Sequence, residues 1–247
     1  MAPINTKPRK PASLRRRVRI ANKVLRAVLV CAAWTRIFVR PRIIGRKNFA
    51  QEGRLIIASH HRSEFDPIGL FAPIVKFRPD VAYMAMAELF KNPLVCRILE
   101  WFGTIPVYRG TERALESSAQ GIDVLEAGGV VAAFIEGKII REKGLGAPKS
   151  GVAYMAFATG APVVPVVVVR TEDVKRPGSK WWQWGWGKRY VIAIGKPIPV
   201  PPGASVDSPK ADRDAFTAQI MEAIKQLGYS ANRGTKISSR PPLRRLR

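Results

Sequence analysis

A histidine can take up a proton near neutrality, because its unperturbed pKa lies close to the working pH. The chain has two, His60 and His61, inside Ser59-His60-His61-Arg62-Ser63-Glu64-Phe65-Asp66-Pro67. A carboxylate that orients the ring and favours its protonated form is the usual companion of such a base. Asp66 offers one, five residues after His61. Helix neighbours are three or four residues apart, so the two side chains meet only if the chain turns between them. Ser63-Glu64-Phe65-Asp66 has the Ser-x-x-Asp form of a capping box, which predicts a turn and a helix opening there. The same residues also read as a plain helix cap beside a loop histidine. Nothing within the segment separates the two readings.

Such a pair needs a frame. The apolar run Arg54–Ser59 predicts a strand that delivers His61, and Val81–Met86 predicts another. Glu88–Trp101 has helical periodicity, with Pro93 in an early turn or marking a break. Thr104–Tyr108 reads as extended. Thr111 can cap a helix running to Ala127 and stopping at Gly128-Gly129. Val130–Ile135 and Val163–Val169 are buried-type strands, and Gly151–Thr159 is a helix closed by Gly160. Arg189–Ile194 adds a strand, and Asp212–Leu227 a helix ended by Gly228. The alternation predicts an α/β fold with a mostly parallel or mixed central sheet flanked by helices. Near-continuous apolar strands fit a sheet covered on both faces.

Three further blocks come after His61 and Asp66 in order. Gly103-Thr104-Ile105-Pro106-Val107-Tyr108-Arg109 has the form G-x-I-P-V-x-R; Phe134-Ile135-Glu136-Gly137 is close to F-P-E-G; Val164-Pro165-Val166 is V-P-V. Lys149-Ser150-Gly151 adds a K-x-G element between the last two. Together with H-x4-D these resemble the glycerolipid acyltransferases, the family that includes 1-acylglycerol-3-phosphate acyltransferase. The resemblance covers roughly residues 50 to 200. It implies transfer of a fatty acyl group from an acyl-CoA or acyl carrier protein thioester to the hydroxyl of a lysophospholipid. The first expectation for the acceptor is 1-acylglycerol-3-phosphate, giving phosphatidic acid. His61 would be the general base and Asp66 its orienting carboxylate. Arg109 and Glu136 would bind the acceptor, and Gly137 would permit close backbone approach. No cofactor and no metal are implied.

The chain also departs from the family pattern. His60 stands where the family often has Asn, and Ile135 replaces a proline. The third block continues Lys138-Ile139-Ile140-Arg141 in place of T-R-S, so Lys138 would supply the acceptor charge. These departures leave another lysolipid open as acceptor. A non-catalytic membrane-binding or polyanion-binding protein of the same fold is the alternative class.

The formal charge of +24 is concentrated at the ends. Residues 1–50 hold fourteen Lys or Arg and no acid, and seven more basic residues lie beyond Glu222 without an acid. Such ends seek a polyanion. Residues 19–39 interleave basic and apolar side chains, and the longest uncharged run there is Ala27–Thr35. That is too short to span a bilayer but suits a helix lying in its interface. Lys23, Arg26, Trp34 and Arg36 are its expected membrane contacts. Four of the six tryptophans cluster at Trp181, Trp182, Trp184 and Trp186, a second surface signal. No nucleic-acid motif accompanies the charge. Ser13-Leu14-Arg15-Arg16-Arg17 only faintly resembles an export signal, since Lys23, Arg26 and Arg36 interrupt the apolar stretch after it. Cys31 and Cys96 form neither a metal spacing nor a disulfide framework. The expected organisation is a disordered basic N-terminus over residues 1–17 and an amphipathic membrane-associated segment over 18–47. A catalytic domain over 48–229 and a disordered basic tail over 230–247 complete it. The expected place of work is the cytoplasmic face of the cell membrane, held peripherally or monotopically.

Overall fold

Val163–Val169 is six valines and one proline, and all seven residues are buried. β-Branched side chains suit the pleated, two-sided environment of a central strand. This segment is β6 in the computed structural model, which describes residues 41–49, 52–75, 77–109, 114–140, 145–171 and 190–236. The other strands are β1 (Arg42–Ile44), β2 (Leu55–Ser59), β3 (Val81–Met86), β4 (Ile105–Val107), β5 (Val130–Phe134) and β7 (Val191–Ile194). The helices are α1 (Asp66–Ile74), α2 (Pro93–Trp101), α3 (Ala114–Glu126), α4 (Gly151–Thr159) and α5 (Lys210–Lys236). One seven-stranded sheet has the order β1-β7-β6-β2-β5-β3-β4. Its ladders are parallel except β6–β7, which is antiparallel, so the sheet is mixed.

Each face of the sheet carries its own core. One cluster joins Ile56, Val131, Val163 and Val167 to Val152, Met155 and Ala156 of α4 and to Phe216, Ile220 and Ile224 of α5. The other joins Ile57, Tyr83, Ala132, Val164, Val166 and Val168 to Leu70 and Ile74 of α1, with Phe65 and Tyr190. Pro165 interrupts neither core. Its carbonyl faces β7 and accepts from Gly195 N at 2.8 Å, just past the end of that strand. The missing N–H therefore falls where the ladder has already stopped. At the N-terminal edge of the strands, the buried guanidinium of Arg78 pairs with Asp80 through two 3.0 Å contacts and reaches Gly53 O at 2.7 Å.

Three expectations are corrected. First, Arg42–Ile44 forms β1, paired in parallel with Val191–Ala193, so the sheet begins before residue 48 and takes in part of the segment assigned to the membrane. Second, Glu88–Trp101 is not one helix. A 3₁₀ turn at Ala87–Lys91 precedes α2, which Asn92 caps by accepting from Leu94 N and Val95 N, with Pro93 at its first position. Third, α5 does not stop at Gly228. Phe216, Ile220, Ile224, Leu227 and Ala231 keep one stripe on the sheet, and that packing carries the helix to Lys236. The basic tail thus starts later than residue 230. Residues 1–17, Lys23, Arg26, Trp34, Arg36, Thr111, Arg141 and the tryptophan cluster lie outside the described residues. Among the described residues no helix is long and apolar enough to cross a membrane.

Candidate active site

The five parallel strands β6, β2, β5, β3 and β4 end on one edge, and the chain segments that leave them carry the polar groups. In α/β sheets this carboxyl edge is where ligands bind. β2 is flanked by β6 and β5 and delivers His60 and His61 to the middle of the edge.

The turn predicted between His61 and Asp66 is present. Asp66 N donates to Ser63 O at 3.0 Å and opens α1. The Asp66 carboxylate folds back over that turn. Its Oδ2 accepts from Arg62 N at 2.6 Å and Ser63 N at 2.7 Å, and lies 3.2 Å from His61 Nδ1. Ser63 Oγ in return accepts from Phe65 N at 3.2 Å. Asp66 therefore does both jobs that the sequence set against each other: it caps α1 and faces the imidazole. It is 1% exposed and His61 is 11% exposed. An ionised carboxylate only accepts, so the proton of a neutral His61 sits on Nδ1 and Nε2 keeps its lone pair. The ring is stacked on Phe134, at 4.1 Å between centroids and 16° between planes, which fixes its second degree of freedom.

Glu136 differs from its expected part. It is 2% exposed, and both of its oxygens are occupied by backbone. Oε2 accepts from His61 N at 3.0 Å and Oε1 from Gly146 N at 2.7 Å. Further bonds lock the same region: Ile140 N donates to His61 O, Ile135 N to Ser59 O and Lys149 N to Ile135 O. The carboxylate is thus a strut between the His61 backbone and the loop before α4, turned toward the chain itself. Gly137 is required for its φ of 68°, while a Cβ there would meet nothing nearer than 3.8 Å. Close approach instead falls at Gly146, where a Cβ would stand 2.4 Å from Ile140 Cδ1. Gly146 had no local signal in the sequence, because its constraint is a side chain brought in from six residues away. Phe134 could be read as part of the third block, though not as the plate under His61.

Arg109 and Lys138 are exposed at the same edge, after β4 and β5. Tyr108 N donates to the buried Ser117 Oγ at 3.2 Å, which pins the chain leaving β4 and so fixes the Arg109 backbone. Lys138 stands one strand from β2, whereas Arg109 stands three strands away, roughly 14 Å at the usual strand spacing. His60 faces inward. It is 5% exposed, and its Nδ1 has no partner among the described residues. Burial pushes its imidazole below the ordinary value, against the raising influence of Asp66 and Glu136.

Comparison with known proteins places this geometry. Residues 40–169, just over half the chain, match the family model described as Acyltransferase. A 1-acyl-sn-glycerol-3-phosphate acyltransferase of Borreliella burgdorferi is 27% identical over 156 residues, which are 63% of this chain and 61% of that relative. The match thus spans less than two thirds of the relative's length. The crystal structure of the 1-acyl-sn-glycerophosphate (LPA) acyltransferase PlsC from Thermotoga maritima superposes with a TM-score of 0.60 at 19% identity, covering 87% of this chain and 79% of that one. That likeness extends the shared fold well beyond the matched family region. With its motif blocks assembled on one edge of that fold, the chain belongs to the acyltransferase family.

Proposed function

We propose that the protein transfers a fatty acyl group from an acyl thioester, acyl-CoA or acyl carrier protein, to the free hydroxyl of 1-acylglycerol-3-phosphate. The observation that carries this reading is the His61–Asp66 pair, held at 3.2 Å beneath an imidazole whose outer nitrogen is free to accept a proton. His61 Nε2 takes the proton of the acceptor hydroxyl as that oxygen attacks the thioester carbonyl. Asp66 stabilises the imidazolium that forms, without itself taking the proton. The tetrahedral intermediate collapses with cleavage of the C–S bond, and the imidazolium returns its proton to the leaving thiolate. The lipid hydroxyl stands in for an enzyme serine, so no acyl-enzyme is needed.

Lys138 and Arg109, exposed beyond β5 and β4, bind the acceptor phosphate. Arg109 supplies a fork and Lys138 a point charge. The basic ends hold the protein on an anionic leaflet at the cytoplasmic face, where the acceptor lies. The test is an acyl-transfer assay of the purified protein with both donor types against a panel of lysolipids. His61→Ala is expected to abolish product at unchanged folding. Comparable turnover by that variant removes His61 as the base, and a wild-type preference for a lysolipid without a phosphomonoester removes the assigned acceptor.

A further inference from the structure

Among the described residues one non-glycine residue has a positive φ: Arg170, at 69°. An L-residue other than Gly, Asn or Asp in this region is strained by contact of its Cβ with the backbone, by about 1 kcal/mol or more. The strain falls at an informative place. Arg170 is the first residue beyond β6, on the same carboxyl edge as His61. β6 is hydrogen-bonded directly to β2, with Ser59 opposite Val166, so Arg170 and His61 leave adjacent strands. Val164, Val166 and Val168 face the α1 side of the sheet, and Val163, Val167 and Val169 the other. Alternation therefore places residue 170 on the α1 side, which is also the side on which Phe134 packs under the His61 ring. The next residue, Thr171, is 1% exposed, while Arg170 is half-buried at the rim. The left-handed turn sends Thr171 inward and keeps the guanidinium at the edge.

We propose that Arg170 binds a phosphate of the acyl donor. The inference rests on the acyl-transfer reading above and deepens it. Lys138 and Arg109 approach His61 from the β5 side of β2, and Arg170 approaches from the β6 side. Two substrates must converge on one imidazole. With the acceptor phosphate on the β5 side, the donor enters past β6. Both donor types carry phosphate on the pantetheine arm, so the shared ligand chemistry is a phosphate ester. A guanidinium has five N–H donors, so it can serve this ligand and a protein neighbour together.

Arg170→Gly is the decisive variant, because glycine adopts this φ without strain and removes only the side chain. Binding of acyl-CoA, of acyl carrier protein and of lysophosphatidate to the full chain is measured by calorimetry, with thermal melts alongside. Arg170→Gly is expected to melt at or above the wild-type temperature. It is also expected to bind the donor about 10- to 100-fold more weakly. Lysophosphatidate affinity should change by less than about 2-fold, and Arg170→Lys should recover part of the donor affinity. A wild-type chain that binds neither donor, or a glycine variant that binds donor as wild type does, overturns the assignment. Weakening confined to lysophosphatidate also overturns it and moves Arg170 to the acceptor. Failure of the acyl-transfer reading shows separately, as absent turnover with donor binding intact.

Discussion

Replacing Glu136 by glutamine asks whether this carboxylate grips the acceptor or holds the base. Its oxygens accept from His61 N at 3.0 Å and Gly146 N at 2.7 Å. Only a carboxylate offers acceptors on both sides. Glutamine keeps one oxygen and turns an NH2 group toward the other N–H, so one buried donor loses its partner. A hydrogen bond to a charged group contributes about 1.5–3 kcal/mol, and an orphaned buried donor costs about 1–3. These overlap, and a total near 2–4 kcal/mol is the working figure. For a domain of this size that lowers the melting temperature by about 5–15 °C. The backbone of His61 is the part released, and displacement of a catalytic group by a fraction of an ångström to 1 Å lowers turnover by up to about 100-fold. Glu136→Gln should therefore lose stability and kcat together, with little change in the KM for the acceptor. Steady-state kinetics below the variant's melting temperature, with thermal melts, give all three quantities. A variant of wild-type stability whose defect lies in the acceptor KM alone would refute the strut and restore Glu136 to the acceptor site.

Arg109→Ala, at an exposed position, should leave the melting temperature within about 2 °C of wild type and raise the KM for a phosphate-bearing acceptor; a defect confined to the donor KM counts against its role. Burial holds the His60 pKa below its ordinary 6.5 in the folded chain. As the pH falls below that value the unfolded chain takes up a proton that the folded chain refuses. This part of the stability is therefore complete above pH 6.5 and declines toward the lower folded pKa. His60→Asn should flatten the decline between melts at about pH 7.5 and 5.5, and an equally steep decline in the variant contradicts it. Deleting residues 1–40, a cut that stops short of β1, should weaken sedimentation with anionic vesicles while sparing the sheet; unchanged partitioning rules out the basic N-terminus as the anchor.

The parts of the fold fixed by local chemistry were legible in the sequence. β6 arises from a run of valines, α4 from its closing Gly160, and the break at Pro93 from the ring that cannot continue a helix. The meeting of His61 and Asp66 was signalled by a capping pattern between them. The features that stayed hidden depend on partners far along the chain. Arg42-Ile43-Ile44 has no strand signature and becomes β1 only because β7 lies beside it. Gly228 reads as a helix stop until Ala231 is seen to be buried against the sheet. Glu136 looks like a binding residue by type, and its two donors, from residues 61 and 146, cannot be anticipated from a linear pattern. Arg170 carries no signal of its own at all, because a left-handed conformation leaves no mark in composition.

β1 has one further consequence, which concerns time. Among the described residues its only sheet neighbour is β7, and Arg42 pairs with Val191, about 150 residues later. At about 5–20 residues per second, synthesis of that interval takes roughly 10–30 s. For that period Arg42–Ile44 is outside the ribosome with no strand to join, while β2 through β6 can already assemble among themselves. The edge of the sheet nearest the basic N-terminus is therefore finished last. A nascent chain halted before Val191 presents three unpaired strand residues next to fourteen cations in its first fifty residues, a state primed for capture by an anionic surface before the enzyme is complete.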